Sequence, residues 1–129
     1  MIELLLVGAG GFVGAVTRYL VSGWRLRRFG AGFPYGTLAV NVVGCLLIGA
    51  AMVLIDGGRL GPRGRLFWTI GLLGALTTFS TFGYETLERV RDGNWLAAAG
   101  NVLLNVALAL AAVVAGRAAM QAIVGPTGG

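Results

Sequence analysis

A cluster of hydroxyl and phenylalanine side chains interrupts the third long apolar segment of this chain. The cluster lies within residues 71–83, and its polar and aromatic members are Thr77, Thr78, Phe79, Ser80, Thr81 and Phe82. Hydroxyl groups are neutral hydrogen-bond donors, and the edge of an aromatic ring carries partial positive charge. These residue types therefore suit contact with a small anion, without a fixed cation that would trap it.

The position of the cluster in an apolar segment restricts how it can be used. Polar groups at membrane depth persist only where protein or a water-filled cavity covers them. Hydroxyls in a span can also simply bond neighbouring helices. The density of the cluster and the flanking Gly71, Gly74 and Gly83 favour a covered site over scattered helix–helix bonds.

The composition indicates a membrane protein. Of 129 residues, 57% are hydrophobic and 12% are charged, which is far from the composition of a soluble domain. All ten basic residues are arginines, and seven of them lie between the apolar segments, which favours membrane topology over nucleic-acid binding. There is no histidine, and the single Cys45 suits apolar packing. We expect no disulfide within the chain, no transition-metal cluster and no enzyme activity.

Four apolar segments are long enough to cross a bilayer as helices. They cover about residues 3–22, 36–55, 66–90 and 95–120, which predicts an all-α membrane protein with one four-helix domain over 1–129. The N-terminus lacks the positive region of a signal peptide, so the first span is expected to be retained. The tail to Gly129 is expected to be disordered.

The third helix is predicted to be broken near the middle of the membrane. The helix signal weakens between Gly74 and Thr78, where glycine and two β-branched residues coincide. A break there would free backbone carbonyls at membrane depth, and a bound cation is one candidate partner for them.

Three asparagines and one arginine are further polar candidates within the spans. Asn41 lies one turn after Thr37, and Asn101 and Asn105 share one face of the fourth helix because they are four residues apart. Asn41 could instead bond a neighbouring helix. Arg18 either extends to the interface beside Tyr19 or has a fixed internal partner.

The arginines do not define one orientation. With a cytoplasmic N-terminus, four arginines would lie inside and five or six outside, depending on Arg18. Near balance favours insertion in both orientations and an antiparallel two-fold dimer of eight helices. A single topology with a weak bias is the alternative.

Three segments of the chain resemble the Fluc family of small fluoride channels, also called CrcB. The pattern Gly10–Tyr19 resembles its first helix, Gly36–Gly44 its second, and Gly74–Phe82 its third. The third is the most specific, and together the three cover most of the chain in order.

The resemblance implies a fold, a function and a set of residues. The family is a dual-topology homodimer in the bacterial cell membrane that passes fluoride passively out of the cell, which relieves fluoride toxicity. A structural sodium ion is held at the dimer centre by backbone carbonyls, which match Gly74 and Thr77 here. The resemblance assigns the following residues to the pore and its vestibule: Thr37, Asn41, Phe79, Ser80, Thr81 and Phe82 to the pore, and Arg18 and Glu85 to the vestibule. Asn101 and Asn105 stand where the family often carries tyrosine and serine hydroxyls.

A small proton-coupled multidrug antiporter is the alternative function, since such proteins can also be four-helix dual-topology dimers. Antiporters of this kind need a titratable acid within a span. The middle of every predicted span lacks aspartate and glutamate, because Glu3 and Glu85 lie near the ends. The residues therefore favour the channel.

Overall fold

The computed structural model of the protein describes residues 1–125, and this part of the chain is helical without strands. Residues 126–129, on which the expected disordered tail falls, lie outside the described residues. Four segments are long and apolar enough to span a membrane: Ile2–Phe29, Tyr35–Asp56, Pro62–Arg91 and Trp95–Val124. The predicted all-α membrane fold with four spanning segments is confirmed.

The first helix, α1, runs from Ile2 to Phe29 and continues past the predicted span of 3–22. No glycine or proline lies between Trp24 and Phe29, so nothing stops the helix until Gly30. Gly30 has φ +72°, a conformation that glycine adopts without steric cost. Arg25, Arg27 and Arg28, which follow the predicted span, therefore lie on the last turns of α1.

The second and last helices are uninterrupted. Helix α2 spans Tyr35–Asp56. Helix α6 spans Trp95–Val124 and begins at Asn94, whose side chain accepts a hydrogen bond from the backbone of Ala97. The short connector before it contains Gly93 at φ +74°, so α6 can start directly after the preceding helix.

The third segment consists of four consecutive parts. Helix α3 (Pro62–Arg65) is followed by a π-helical stretch (Leu66–Leu73), one turn of α4 (Gly74–Leu76) and helix α5 (Phe79–Arg91). Thr77 and Thr78 between α4 and α5 have extended backbone, with ψ of 153° and 118°. The π-helical stretch was not predicted from the sequence.

Glycines bring the helices into direct backbone contact. A side chain at Gly10 or Gly14 of α1 would overlap the backbone at Phe67 or Leu72 of the π-helical stretch. Gly10 and Gly14 therefore allow the two helices to approach closely. The same holds between α2 and α6, where a side chain at Gly116 would overlap the carbonyl of Leu46.

The buried apolar core lies directly beside the extended residues. It consists of Val40 of α2 with Leu73 and Leu76, and Val21, Ile48 and Leu72 pack against it. Since Leu76 immediately precedes Thr77, this packing fixes where α4 ends relative to α2.

Candidate functional site

The amide of Asn41 is the hydrogen-bond partner of the extended residue Thr78. The Thr78 backbone N–H donates to Asn41 Oδ1 at 2.8 Å, and Asn41 Nδ2 donates to the Thr78 carbonyl at 3.3 Å. An asparagine side chain can supply both groups because it carries a donor and an acceptor. Thr78 is only 7% exposed, so its backbone groups need hydrogen-bond partners within the protein. Asn41 supplies them at the point where the helical hydrogen bonds are missing.

Hydroxyl groups cap the start of α5. Thr78 Oγ1 accepts from the Thr81 backbone N–H at 3.2 Å and donates to Thr81 Oγ1 at 3.0 Å. Ser80 Oγ lies 3.4 Å from Thr78 Oγ1, and Ser80 is exposed. These predicted site residues are thus brought together in the first turn of α5.

The carbonyls of Gly74 and Thr77 lose their helical donors at the same point. In a continuous α-helix the N–H of residue 78 would donate to the Gly74 carbonyl, and that of residue 81 to the Thr77 carbonyl. Here those two N–H groups donate to Asn41 and to the Thr78 hydroxyl. These two carbonyls therefore lie where the continuous helical bonding of the third segment stops.

Two phenylalanine rings stand beside the hydroxyls. The ring centroids of Phe79 and Phe82 are 5.3 Å apart with an interplanar angle of 46°. Phe79 is 84% exposed, and its neighbour Ser80 and Gly74 of α4 are exposed as well. These residues of the third segment are uncovered in a single copy of the chain.

The asparagines of α6 continue from Asn41. Asn41 Nδ2 donates to Asn105 Oδ1 at 2.9 Å, and Asn105 Nδ2 donates to Asn101 Oδ1 at 2.8 Å. Asn105 Nδ2 also reaches the Asn101 carbonyl at 3.0 Å, so the expected shared face of Asn101 and Asn105 is confirmed. Asn101 is completely buried.

Thr86 of α5 completes this set of contacts and was missed in the sequence. Asn101 Nδ2 donates to Thr86 Oγ1 at 2.9 Å, and Thr86 Oγ1 donates to the Phe82 carbonyl at 2.7 Å. A threonine that bonds back four residues is common in helices. The sequence therefore carries no signal that pairs it with Asn101.

Two open cavities, of about 450 Å³ and about 490 Å³, meet at Thr78, which lines both. We call them the charged cavity and the amide cavity. The charged cavity is lined by the predicted residues Arg18, Thr37, Thr81 and Glu85. The amide cavity is lined by the predicted residues Asn41, Gly74, Thr77, Phe79, Phe82 and Asn105. Asn101 and Ser80 line neither cavity.

The charged cavity carries both signs of charge. Glu85 Oε2 is buried and has no hydrogen-bond partner among the described residues. The ion pairs found between residues 1 and 125 involve other side chains: Arg89–Asp92, Arg91–Glu88 and Arg117–Asp56. Arg18 and Glu85 are therefore not joined to those pairs.

Side-chain ligands for a transition metal are not grouped in the described part of the chain. No group of three or more histidine, cysteine, aspartate or glutamate side chains is found there. A cation at this site would depend on backbone and hydroxyl oxygens, which hard cations such as sodium accept.

A sequence model described as "CrcB-like protein, Camphor Resistance (CrcB)" matches residues 5–117 of the chain. The chain belongs to the CrcB family. Relatives from Shewanella oneidensis and Shewanella baltica are 49% identical over 117 residues, which cover 91% of this chain and 94% of each relative. Each is named "Fluoride-specific ion channel FluC". The suspected family is thus confirmed, and this CrcB family member is a multi-pass membrane protein rather than an enzyme.

Proposed function

We propose that the chain forms a fluoride channel that lets fluoride leave the cell passively and so relieves fluoride toxicity. The observation that carries this proposal is the amide cavity, where Asn41, Phe79 and Phe82 surround a helix interruption in the third segment. The names of the Shewanella relatives support the same function. The location proposed is the bacterial plasma membrane.

The chemistry of the cavity suits fluoride, which is small and strongly hydrated. A pore has to replace the water of an ion without holding it too tightly. Hydroxyl and amide donors together with the edges of Phe79 and Phe82 offer several weak positive contacts. Thr81 and Thr78 border the charged cavity, where Thr37 lies, so the path proposed passes from Arg18 and Glu85 towards Asn41.

Gly74 and Thr77 would hold a structural sodium ion through their carbonyl oxygens. The loss of both helical donors supports this assignment, since Thr78 N and Thr81 N bond elsewhere. When bound, the ion supplies positive charge that offsets the carbonyl dipoles at membrane depth. Replacing sodium by N-methylglucamine should lower the thermal unfolding midpoint of the purified protein. An unchanged midpoint would contradict the assignment.

Two copies would assemble as an antiparallel homodimer. Ser80, Gly74 and Phe79 are exposed in a single copy of the chain, and polar groups at membrane depth require a cover of protein or water. Two carbonyls per chain also leave a sodium ion short of ligands unless a second copy supplies two more. A cysteine placed at Arg28 in a Cys45→Ala background should react with an impermeant thiol reagent from both sides of the membrane. Reaction from one side only would exclude dual topology.

The multidrug antiporter remains less well supported. The five acidic residues of the chain are Glu3, Asp56, Glu85, Glu88 and Asp92, and Glu3, Asp56 and Asp92 lie at the ends of helices or just beyond them. Glu85 and Glu88 lie within the last turns of the third segment, away from the middle of the span. Proton exchange would need an acid there.

Fluoride efflux from liposomes tests the channel proposal. Purified protein should release fluoride down its gradient when potassium and valinomycin balance the charge, whether or not a pH gradient is present. Protein-free liposomes are the control. Efflux that requires an opposing proton gradient would support an exchanger, and no efflux above the control would exclude the channel.

A further inference from the structure

Five hydrogen bonds connect Thr78 to Phe82 by way of two other helices. The path leads through Asn41 of α2, Asn105 and Asn101 of α6, and Thr86 of α5. All five donor–acceptor distances lie between 2.7 and 2.9 Å. We call this connection the amide chain. Both of its ends lie on the segment that carries Phe79, Ser80 and Thr81, so it connects the two ends of the first turn of α5 through α2 and α6.

The amide chain has one direction. The backbone N–H of Thr78 can only donate, so the oxygen of Asn41 must face it. The amide nitrogen of Asn41 then faces Asn105, which must present its oxygen, and the same requirement passes to Asn101. At the far end, the single hydrogen of the Thr86 hydroxyl goes to the Phe82 carbonyl. The hydroxyl oxygen therefore accepts from Asn101.

Most side-chain amide hydrogens of the amide chain already donate to an acceptor. Asn105 Nδ2 has two acceptors, both on Asn101, and Asn41 Nδ2 has Asn105 Oδ1 and the Thr78 carbonyl. The bond to Thr78 is the longest of these, at 3.3 Å. It is the contact that Asn41 can exchange for an anion at least cost, while the bond to Asn105 keeps the amide oriented.

We propose that Thr86 and Asn101 are positioning residues that set the orientation of the Asn41 amide through Asn105. Asn101 is completely buried and lines neither cavity, so it acts on the site through the amide chain and not by contact with an ion. The effect of Thr86 and Asn101 on conduction rests on the proposed fluoride channel. Their effect on the hydrogen bonds of the amide chain does not, and the two effects can be measured separately.

Thr86→Val tests the chain with little change in shape, since valine replaces the hydroxyl by a methyl group. Thr86→Ser keeps the hydroxyl and is the rescue variant. Thr17→Val is the matched control, because Thr17 is exposed on the face of α1 that also exposes Val13 and Leu20. If Thr86→Val does not give monodisperse protein, Thr86→Ala removes the same hydroxyl without adding bulk.

Side-chain amide exchange gives a readout independent of conduction. The sequence holds four asparagines, so protein labelled with 15N-asparagine should show a fast-exchanging amide for the exposed Asn94 and slow ones for the rest. Thr86→Val should speed exchange at Asn101, Asn105 and Asn41 by about tenfold or more, since a lost buried bond shifts local opening by that order. Thr86→Ser and Thr17→Val should stay near the wild-type rates. Unchanged exchange at Asn41 in Thr86→Val would overturn the proposal.

Fluoride efflux tests whether the orientation matters for conduction. Efflux per folded channel should fall about tenfold in Thr86→Val and recover in Thr86→Ser. Faster exchange of the asparagine amides in Thr86→Val together with unchanged fluoride efflux would overturn the functional part of the proposal. Absence of efflux from the wild-type protein would instead refute the proposed channel, while the exchange result would still decide the bonding role.

Discussion

The charged cavity and the amide cavity share Thr78 but differ in the chemistry of their walls. Arg18 and Glu85 line the first, together with hydroxyls of Thr37 and Thr81. The second is lined by neutral groups, among them Asn41 and the rings of Phe79 and Phe82. Ionised side chains attract ions over a distance, whereas neutral donors discriminate at contact.

Selectivity and access are therefore expected to reside in different cavities. A full charge beside a desolvated ion would hold it strongly, because electrostatic interactions strengthen away from water. Substitutions in the amide cavity should therefore change fluoride flux most. Substitutions in the charged cavity should change the supply of ions, in a way that depends on salt.

Asn41→Asp should have the largest effect. The carboxylate keeps an acceptor for Thr78 N–H but faces the Thr78 carbonyl and the Asn105 oxygen without hydrogens. It also repels an anion at contact distance, so fluoride efflux should fall at least about 100-fold. Asn94→Asp makes the same change at an exposed helix cap and should leave efflux unchanged. Equal efflux in the two variants would remove Asn41 from the path.

Phe79→Ile should have the second-largest effect on fluoride efflux. It removes the aromatic edge and the 5.3 Å ring pair with Phe82 while keeping an apolar side chain. We expect efflux to fall about tenfold, in line with the value of one aromatic contact. Phe12→Ile on the exposed face of α1 is the control, since Phe12 is 71% exposed. The elution volume on size exclusion should match wild type for both variants, and a shared loss of flux would indicate a general packing defect.

Arg18→Gln should have the smallest effect on fluoride efflux, and its effect should depend on ionic strength. Loss of a charge at the mouth should reduce efflux about threefold at low ionic strength, and the difference should disappear in high salt. Arg63→Gln, which removes an exposed arginine of α3, is the control. A salt-independent loss on the scale of Asn41→Asp would place Arg18 in the selective part of the path.

The helices were predictable because long apolar segments leave few alternatives. The π-helical stretch was not predictable from the sequence; within it, Gly71 lies in close contact with Val7 and Gly10 of α1. Such contacts depend on tertiary packing, and the hydrophobic pattern of a single segment does not predict them. Hydropathy does not predict where α1 ends, because its last turns carry charged residues although no residue before Gly30 ends the helix.

The candidate site was predictable where unusual residues cluster within an apolar span. Asn41, Thr78 and Asn105 stand out for this reason, and the structure brings them into contact. Thr86 does not stand out, since it lies among polar residues near the end of its helix. Its role depends on Asn101, which lies in another helix, and a single sequence contains no information on that pairing.

The proposal for the amide cavity can be tested by comparing fluoride and chloride efflux from the same liposomes between wild type and Phe79→Ile. The claim is that neutral donors and ring edges of the amide cavity select fluoride. Wild type should pass fluoride far faster than chloride, and Phe79→Ile should lose fluoride flux without gaining chloride flux. Equal fluoride and chloride efflux from the wild-type protein would contradict it.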